Sequence, residues 1–405
     1  MVNFGFTEEQ ELIKKSVREW CAKNLPIEKV REMDTKQQVP RETVKGMADL
    51  GILLPTVPEE HGGAGLDWVS ACIIAEEMGY ADVTIAIPAG FQVVEGGWGH
   101  DIDKYCSEKV RKEYIQPAIR GEKFVGIATT EPGGGSDVAA FKCTAKKEGD
   151  EWILNGEKAY ISGTEECKEW GGGFWILARS GPAPPGKPHR NMTGFFLPFE
   201  APGVEISKRY DDMGRMALSC GAFTMKDVRL SDEYVVGEVD KGFYPTMEGF
   251  DNARILISCS AVGVAQRVLE IGMEYIKERK AFGRPIGKFE GIQFELADLY
   301  AKNEAIRTLC YKVAWMVDQR EKGKMKSLEL AKWISYCKLL APWHALKCAE
   351  TAMIWLGAWG YTKECPLEMA YRGLMSYCVG AEGAINIQRI VIGRELLGRE
   401  FVPYK

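Results

Sequence analysis

The chain has 405 residues, 46% of them hydrophobic, enough to bury a large core and to form two or three structural units. Its 52 basic and 57 acidic residues leave a formal net charge of -5 and are interspersed, without the basic stripe or tail that nucleic acids and anionic membranes need, which argues against both partners. Twelve cysteines scattered from Cys21 to Cys378 form no Cys-x-x-Cys pair, and His61, His100, His189 and His344 lie far apart, so no metal centre is expected. With no signal-peptide pattern and no run of roughly 20 apolar residues, the expectation is reduced thiols in a cytoplasmic or equivalent reducing compartment, without stable membrane insertion.

Thr7-Glu8-Glu9-Gln10 has the capping-box pattern and is followed by Leu12, Ile13, Val17 and Trp20 at helical spacing, so a helix starts there. Further helices are predicted over residues 41–50, 68–78 and 107–118, separated by turns such as Pro58-Glu59-Glu60-His61-Gly62-Gly63; residues 1–121 read as an all-α domain. From Phe124 the texture changes to short apolar runs, residues 124–128, 152–154, 159–162 and 173–178, which read as strands. Asn155-Gly156 between two of them has the composition of a two-residue hairpin turn. A Pro/Gly-rich loop over residues 180–188 and strands up to Val228 complete a β unit, residues 122–236. Helical spacing returns over residues 253–280, 291–322 and 328–356, giving a helical bundle over residues 237–405. Helices, strands, helices make an α+β arrangement.

Three motifs carry chemistry. Thr129-Thr130-Glu131-Pro132-Gly133-Gly134-Gly135-Ser136-Asp137 follows a predicted strand, and its glycines let backbone N–H groups approach a ligand; it lacks both the P-loop ending and the dinucleotide-fold spacing, and a structural loop is the alternative. Glu278-Arg279-Lys280-Ala281-Phe282-Gly283-Arg284 ends a helix with cations suited to a pyrophosphate, or simply solvated. Gly380-Ala381-Glu382-Gly383-Ala384 embeds one acid among small residues, where desolvation would make it a useful base, or where it would satisfy a helix dipole.

In this order the motifs resemble the acyl-CoA dehydrogenase family over essentially the whole chain. The resemblance includes Phe6-Thr7-Glu8-Glu9-Gln10, the segment from Pro58 to Asp67, Asn155-Gly156-Glu157-Lys158-Ala159-Tyr160-Ile161-Ser162, Arg254, and Leu356-Gly357-Ala358-Trp359-Gly360-Tyr361. It implies an N-terminal helical domain, a middle β-sandwich or barrel-like domain and a C-terminal four-helix bundle binding FAD and an acyl-CoA thioester. It implies Glu382 as the base; Thr129, Thr130, Tyr160, Ser162, Arg279, Phe282, Gly357, Ala384 and Asn386 as FAD contacts; and Ser136, Asp251, Arg254 and Gly383 as substrate contacts. Arg279 and Phe282 would reach the FAD of a neighbouring subunit in a homotetramer. An electron-transferring flavoprotein would take up the electrons. The alternative position for the base, one before Arg254, is Ala253.

Departures from the family pattern bear on the substrate. Ala381 and Ala384 replace larger residues beside Glu382, and with Gly380, Ala86, Pro88, Ala89 and Gly90 they imply room for a branched, cyclic or aryl-bearing acyl group, such as cyclohexanecarboxyl-CoA, cyclohexenecarboxyl-CoA or benzylsuccinyl-CoA, unless Phe91, Trp98 or Trp359 refills it. Glu290 and Ile354 stand where FAD-associated glutamines are usual. Thr84 stands where dicarboxylate-specific relatives carry an arginine. Glu95 and Asp82 are candidates for a second acid or base. A same-fold oxidase, an eliminating or decarboxylating enzyme, or a silent FAD-binding protein is the competing reading.

Overall fold

A computed structural model describes residues 5–403. The first domain opens with α1 (Glu8–Asn24), whose capping box forms as expected: Thr7 Oγ1 accepts from Gln10 N at 3.2 Å and Gln10 Oε1 accepts from Thr7 N at 3.1 Å. It continues with α2 (Ile27–Lys36), α3 (Arg41–Asp49) and α4 (Trp68–Ala81), the last capped by Asp67 on Ser70 N at 2.8 Å. Pro88–Gly97 then forms a buried π-helical stretch that leads straight into α5 (Trp98–Tyr105). The helix expected over residues 107–118 is α6 (Glu108–Val110), a second π-helical turn (Arg111–Ile115) and α7 (Gln116–Ile119). Wide turns of this kind have no 3.6-residue apolar spacing to announce them and recur near functional sites.

The middle domain holds β1 (Phe124–Ala128), β2 (Thr144–Glu148), β3 (Glu151–Ser162), α8 (Thr164–Trp170), β4 (Gly172–Arg179), β5 (Met192–Pro198), β6 (Val204–Arg209), β7 (Cys220–Ser231) and β8 (Val235–Val236). They form one sheet in the order β6-β7-β3-β2-β4-β5-β8, with β1 parallel to β4. β2 and β4 touch at a single pair, Thr144 and Arg179, and there the sheet folds back on itself. Phe174 of β4 stacks on Phe223 of β7 at 5.9 Å and Trp152 of β3 meets Phe195 of β5 at 5.3 Å, so the two halves pack like a sandwich.

Asn155-Gly156 is not a hairpin turn. Both residues lie inside β3, where the register against β7 shifts between Leu154 and Gly156. Gly156 has φ 144, and a Cβ there would come within 2.3 Å of Cys143 Sγ, so the glycine serves a bulge and a close approach. The turn between β2 and β3 is Gly149-Asp150, with Gly149 at φ 59 and Glu148 paired to Glu151.

The third domain comprises α9 (Phe243–Glu278), α10 (Glu290–Glu321), α11 (Ser327–Leu356), α12 (Leu367–Val379) and α13 (Ile385–Leu397). α9 is long and apolar enough to cross a membrane, but 78% of its apolar window is buried inside this fold, where it packs against α4. The two helices meet on glycines: a Cβ at Gly79 would lie 2.1 Å from Ser260 O, and one at Gly263 would lie 2.0 Å from Glu76 O. All twelve cysteines are free thiols, and all but the half-buried Cys106 are buried.

Candidate active site

The three domains enclose a cavity of about 1180 Å³. Its wall combines Ala89, Val93 and Val94 of the π-helical stretch, Thr129, Thr130, Gly135 and Ser136 after β1, Tyr160 to Ser162 of β3, Phe250, Asp251 and Arg254 of α9, and Gly380 to Ala384 between α12 and α13.

Glu382 sits in the α12–α13 turn at φ 56, a conformation that costs a non-glycine residue on the order of 1 kcal/mol or more and is held by its surroundings. Arg254 Nε donates to its carbonyl at 2.8 Å and Arg254 Nη1 bonds Asp251 Oδ1 at 2.8 Å, tying the turn to α9. Its carboxylate Oε1 accepts from the indole N–H of Trp98 at 3.2 Å. Desolvation by the surrounding protein pushes its pKa up to about 7, while the Trp98 bond and the charges of Arg254, Lys338 and Arg215 pull the other way. Such a group changes from acid to base near neutrality. Behind it, fully buried Lys338 of α11 donates to Tyr377 O at the end of α12, and burial pulls its own pKa down to about 7.

The glycine loop is anchored from beneath. Lys158 Nζ, fully buried, donates to Thr129 O at 3.2 Å, Glu131 Oε1 at 3.0 Å and Leu177 O at 3.1 Å. Glu131 also accepts from Lys142 N at 2.6 Å and Cys143 N at 3.0 Å. Burial works against ionising Glu131, but Lys158 and these N–H groups outweigh it and hold its pKa below the ordinary value. A Cβ at Gly133 or Gly134 would meet nothing within 4 Å, so the upper side of the loop is open to a ligand. Tyr160, 64% exposed and at φ 58, stacks on Tyr210 at 4.3 Å beside the hydroxyls of Thr129, Thr130 and Ser162. A broad aromatic face edged by hydroxyls and open backbone fits the ring and phosphates of a flavin nucleotide.

The structure thus brings Glu382, Thr129, Thr130, Ser136, Tyr160, Ser162, Asp251, Arg254, Gly383 and Ala384 to one cavity. It does not bring Arg279, Phe282, Gly357 or Asn386 there. Arg279 ends α9, Phe282 is 96% exposed at φ 51, Gly357 ends α11 at φ 62, and Asn386 accepts from Arg389 at 2.6 Å on α13. Of the small residues expected to widen the acyl end, Ala89, Gly380, Ala381 and Ala384 line the cavity, whereas Ala86, Pro88 and Gly90 are packed in the core. Phe91 turns to Phe124 and Trp170, and Trp359 stacks on Tyr275, so neither refills the cavity. Asp82 is occupied by Thr84 and Ile87 N, Glu95 is buried off the wall, and Thr84 is buried with its hydroxyl on Asp82. None of the three is placed to act on a ligand in the cavity.

Sequence reasoning missed Tyr105, Arg215, Phe250 and Arg372 on the wall and gave Trp98 no contact with Glu382. Arg215 donates from Nη1 to Ser162 Oγ at 3.0 Å, a pairing that no local pattern announces.

Comparison with known proteins gives the same architecture a name. The N-terminal, middle and C-terminal domain models of acyl-CoA dehydrogenase match residues 7–122, 126–228 and 240–397. The chain is 32% identical over 397 residues to a 3-(aryl)acrylate reductase of Clostridium sporogenes, covering 97% of this chain and 99% of that one. It is 31% identical over 401 residues to the caffeyl-CoA reductase-Etf complex subunit CarC of Acetobacterium woodii, covering 97% and 99%. The solved butyryl-CoA dehydrogenase of Megasphaera elsdenii superposes with a TM-score of 0.88 at 27% identity, covering 98% and 100%. The chain belongs to the acyl-CoA dehydrogenase family of FAD-dependent oxidoreductases.

Proposed function

We propose that the chain interconverts an acyl-CoA and its α,β-unsaturated counterpart, with Glu382 moving the proton at Cα. The observation that carries this is the placement of Glu382: a carboxylate with a pKa of about 7, on the cavity wall, its backbone fixed by Arg254 and its Oε1 by Trp98. FAD supplies a hydride acceptor for the β-hydrogen. An α C–H beside a thioester is too weak an acid for a carboxylate alone, so the thioester oxygen needs donors as charge develops, and the backbone N–H of Glu382 is the chain's own. Thr130, Ser162 and Tyr160 hold the flavin ring, and Ser136, Asp251 and Arg254 hold the CoA side. The two walls exclude water from the reacting carbons.

The acyl group is branched, cyclic or aryl-bearing: Gly380, Ala381, Ala384 and Ala89 leave space beside the base, and Phe250 and Tyr105 offer ring faces. The names of the aryl-acrylate and caffeyl-CoA reductases support an aryl substituent and a site run toward the saturated acyl group, with Glu382 then returning the proton. An electron-transferring flavoprotein is the redox partner, supported by the relative CarC, a subunit of a caffeyl-CoA reductase-Etf complex. An assembly of copies, proposed as a homotetramer, is supported by Phe282, whose nearly complete exposure suits contact with a neighbouring copy.

The test is anaerobic flavin bleaching with straight, branched, cyclic and aryl acyl-CoA thioesters, comparing native protein with Glu382→Gln. Bleaching by one class, slowed at least about 100-fold in a variant that keeps its flavin, supports the reading. A variant that bleaches at the native rate removes Glu382 as the base.

A further inference from the structure

Four arginines stand on the cavity wall, and three are occupied. Arg254 holds the Glu382 carbonyl and Asp251. Arg372 is gripped by Glu368 at 2.6 and 3.1 Å, by Asp34 at 2.9 Å and by Met213 O at 2.9 Å. Arg394, its side chain 31% exposed, pairs with Glu395 at 2.9 Å. Arg215 differs. Its side chain is only 12% exposed, its bond at Nη1 goes to the neutral Ser162 hydroxyl, and its described carboxylate neighbour, Asp212, stands 3.6 Å away. Its Nε is buried with no acceptor at all. A guanidinium presents a planar fork of donors made for a carboxylate, and a buried donor left empty is a group waiting for one.

The loop that carries Arg215 is braced to present it. Gly214 packs so tightly on α12 that a Cβ would lie 2.5 Å from the Arg372 carbonyl carbon, Met213 O is held by Arg372, and Met216 N donates to Asp34 at 3.2 Å. Arg215 itself is at φ 50, a strained conformation for a side chain of this size. Arg215, Ser162 and Glu382 line the same cavity, Arg215 is bonded to Ser162, and its positive charge favours the ionised form of Glu382. An anion placed there without a cation would repel the ionised Glu382; with Arg215 beside it the repulsion is offset.

We propose that Arg215 binds a carboxylate carried by the acyl group, so that the substrate is an acyl-CoA with a second, free carboxyl group beside the bulky substituent admitted by Gly380, Ala381 and Ala384. The assignment rests on the dehydrogenase reading, which puts the acyl group between the flavin ring held at Ser162 and the carboxylate of Glu382. Arg215 is then the residue that sets specificity, at a position unrelated to Thr84.

The flavin-loaded protein is titrated with 3-phenylpropanoyl-CoA, the same thioester bearing a carboxymethyl group on Cα, and the methyl ester of that carboxymethyl group. Glutaryl-CoA and its methyl ester form an unbranched pair. Binding is read from the flavin spectrum and turnover from anaerobic bleaching. The native protein should prefer a free carboxylate over its ester by about tenfold or more, since a buried polar group rejects a ligand that leaves it unpaired. Arg215→Met should erase that preference with the ester changed by less than about threefold, and Arg215→Lys should keep part of it. Equal handling of acid and ester by the native protein overturns the proposal, as does an equal loss on both in Arg215→Met. If Arg215→Met holds no flavin, the native ratio and Arg215→Lys decide. Bleaching by neutral thioesters alone removes the carboxylate site and leaves the dehydrogenase; carboxylate-selective binding without bleaching does the reverse.

Discussion

The indole N–H of Trp98 donates to the carboxylate of Glu382 at 3.2 Å, joining two residues 284 positions apart in the chain. The bond favours the ionised carboxylate and so opposes the desolvation that raises its pKa to about 7. Trp98→Phe keeps most of the ring packing against Phe250 and Trp175 while removing the donor. As the proposed base, Glu382 must be ionised to act, so kcat/KM should rise with pH through its pKa. Trp98→Phe should move that rise upward by about one pH unit and leave the alkaline plateau nearly unchanged. A pH–rate profile that does not move would reduce Trp98 to a packing residue.

Lys338 makes the opposite kind of prediction, about stability. Its folded pKa of about 7 lies below the ordinary 10.5, so between these values the unfolded chain binds a proton that the native protein does not. Stability from this group therefore rises with pH across that window. Lys338→Met should flatten the dependence and raise stability near neutral pH, on the order of 1 kcal/mol, because an apolar side chain replaces a buried amine. Thermal melts at neutral and alkaline pH compare the two proteins; a gain that persists unchanged at high pH would contradict this origin.

The Glu131–Lys158 pair behaves as a buried ion pair in which removing one partner strands the other. Glu131→Ala should destabilise the protein by about 3–5 kcal/mol and lower flavin retention, because Lys158 also fixes Thr129 O. Glu131→Leu combined with Lys158→Met should recover much of the stability and little of the flavin affinity. Urea unfolding and flavin content after gel filtration separate the two effects. The depressed Glu131 pKa adds stability above the ordinary carboxylate range that is lost as pH falls through the folded value.

Phe282 is 96% exposed and meets its own chain edge-on at Phe289, 6.2 Å between ring centroids, so truncation removes little packing there. Phe282→Ala should therefore leave the melting temperature of separated subunits unchanged. If a neighbouring copy's FAD rests on it, the variant should lose flavin and dissociate at higher protein concentration than the native protein, measured by sedimentation. Unchanged flavin content and assembly would place Phe282 outside the interface.

The long helices were legible because each carries a continuous apolar face: α10 and α11 fall within one residue of the spans expected from spacing, whereas α9 starts ten residues earlier than expected, at Phe243. Glu382 and the glycine loop were legible because their composition is local and unusual. Arg215 was not, since its importance comes from an unpaired nitrogen and from Ser162, 53 positions earlier. Trp98, which meets Glu382, opens α5 directly after the π-helical stretch, whose wide turns no 3.6-residue period foretells. Asn155-Gly156 misled because the same dipeptide suits a tight turn and a bulge, and only the partner strand decides which.

β3 carries two such irregularities, between Leu154 and Gly156 and between Lys158 and Ile161. A regular strand sends neighbouring side chains to opposite faces, yet Tyr160, Ile161 and Ser162 all line the cavity. The second irregularity is therefore a local suspension of alternation, and it brings three consecutive residues to one cavity. Deleting a single residue between Lys158 and Ile161 would restore the alternation and turn part of the cavity wall into the sheet's interior. In this stretch the spacing of residues is as much a determinant of chemistry as their identity, and a substitution scan that preserves length would never reveal it.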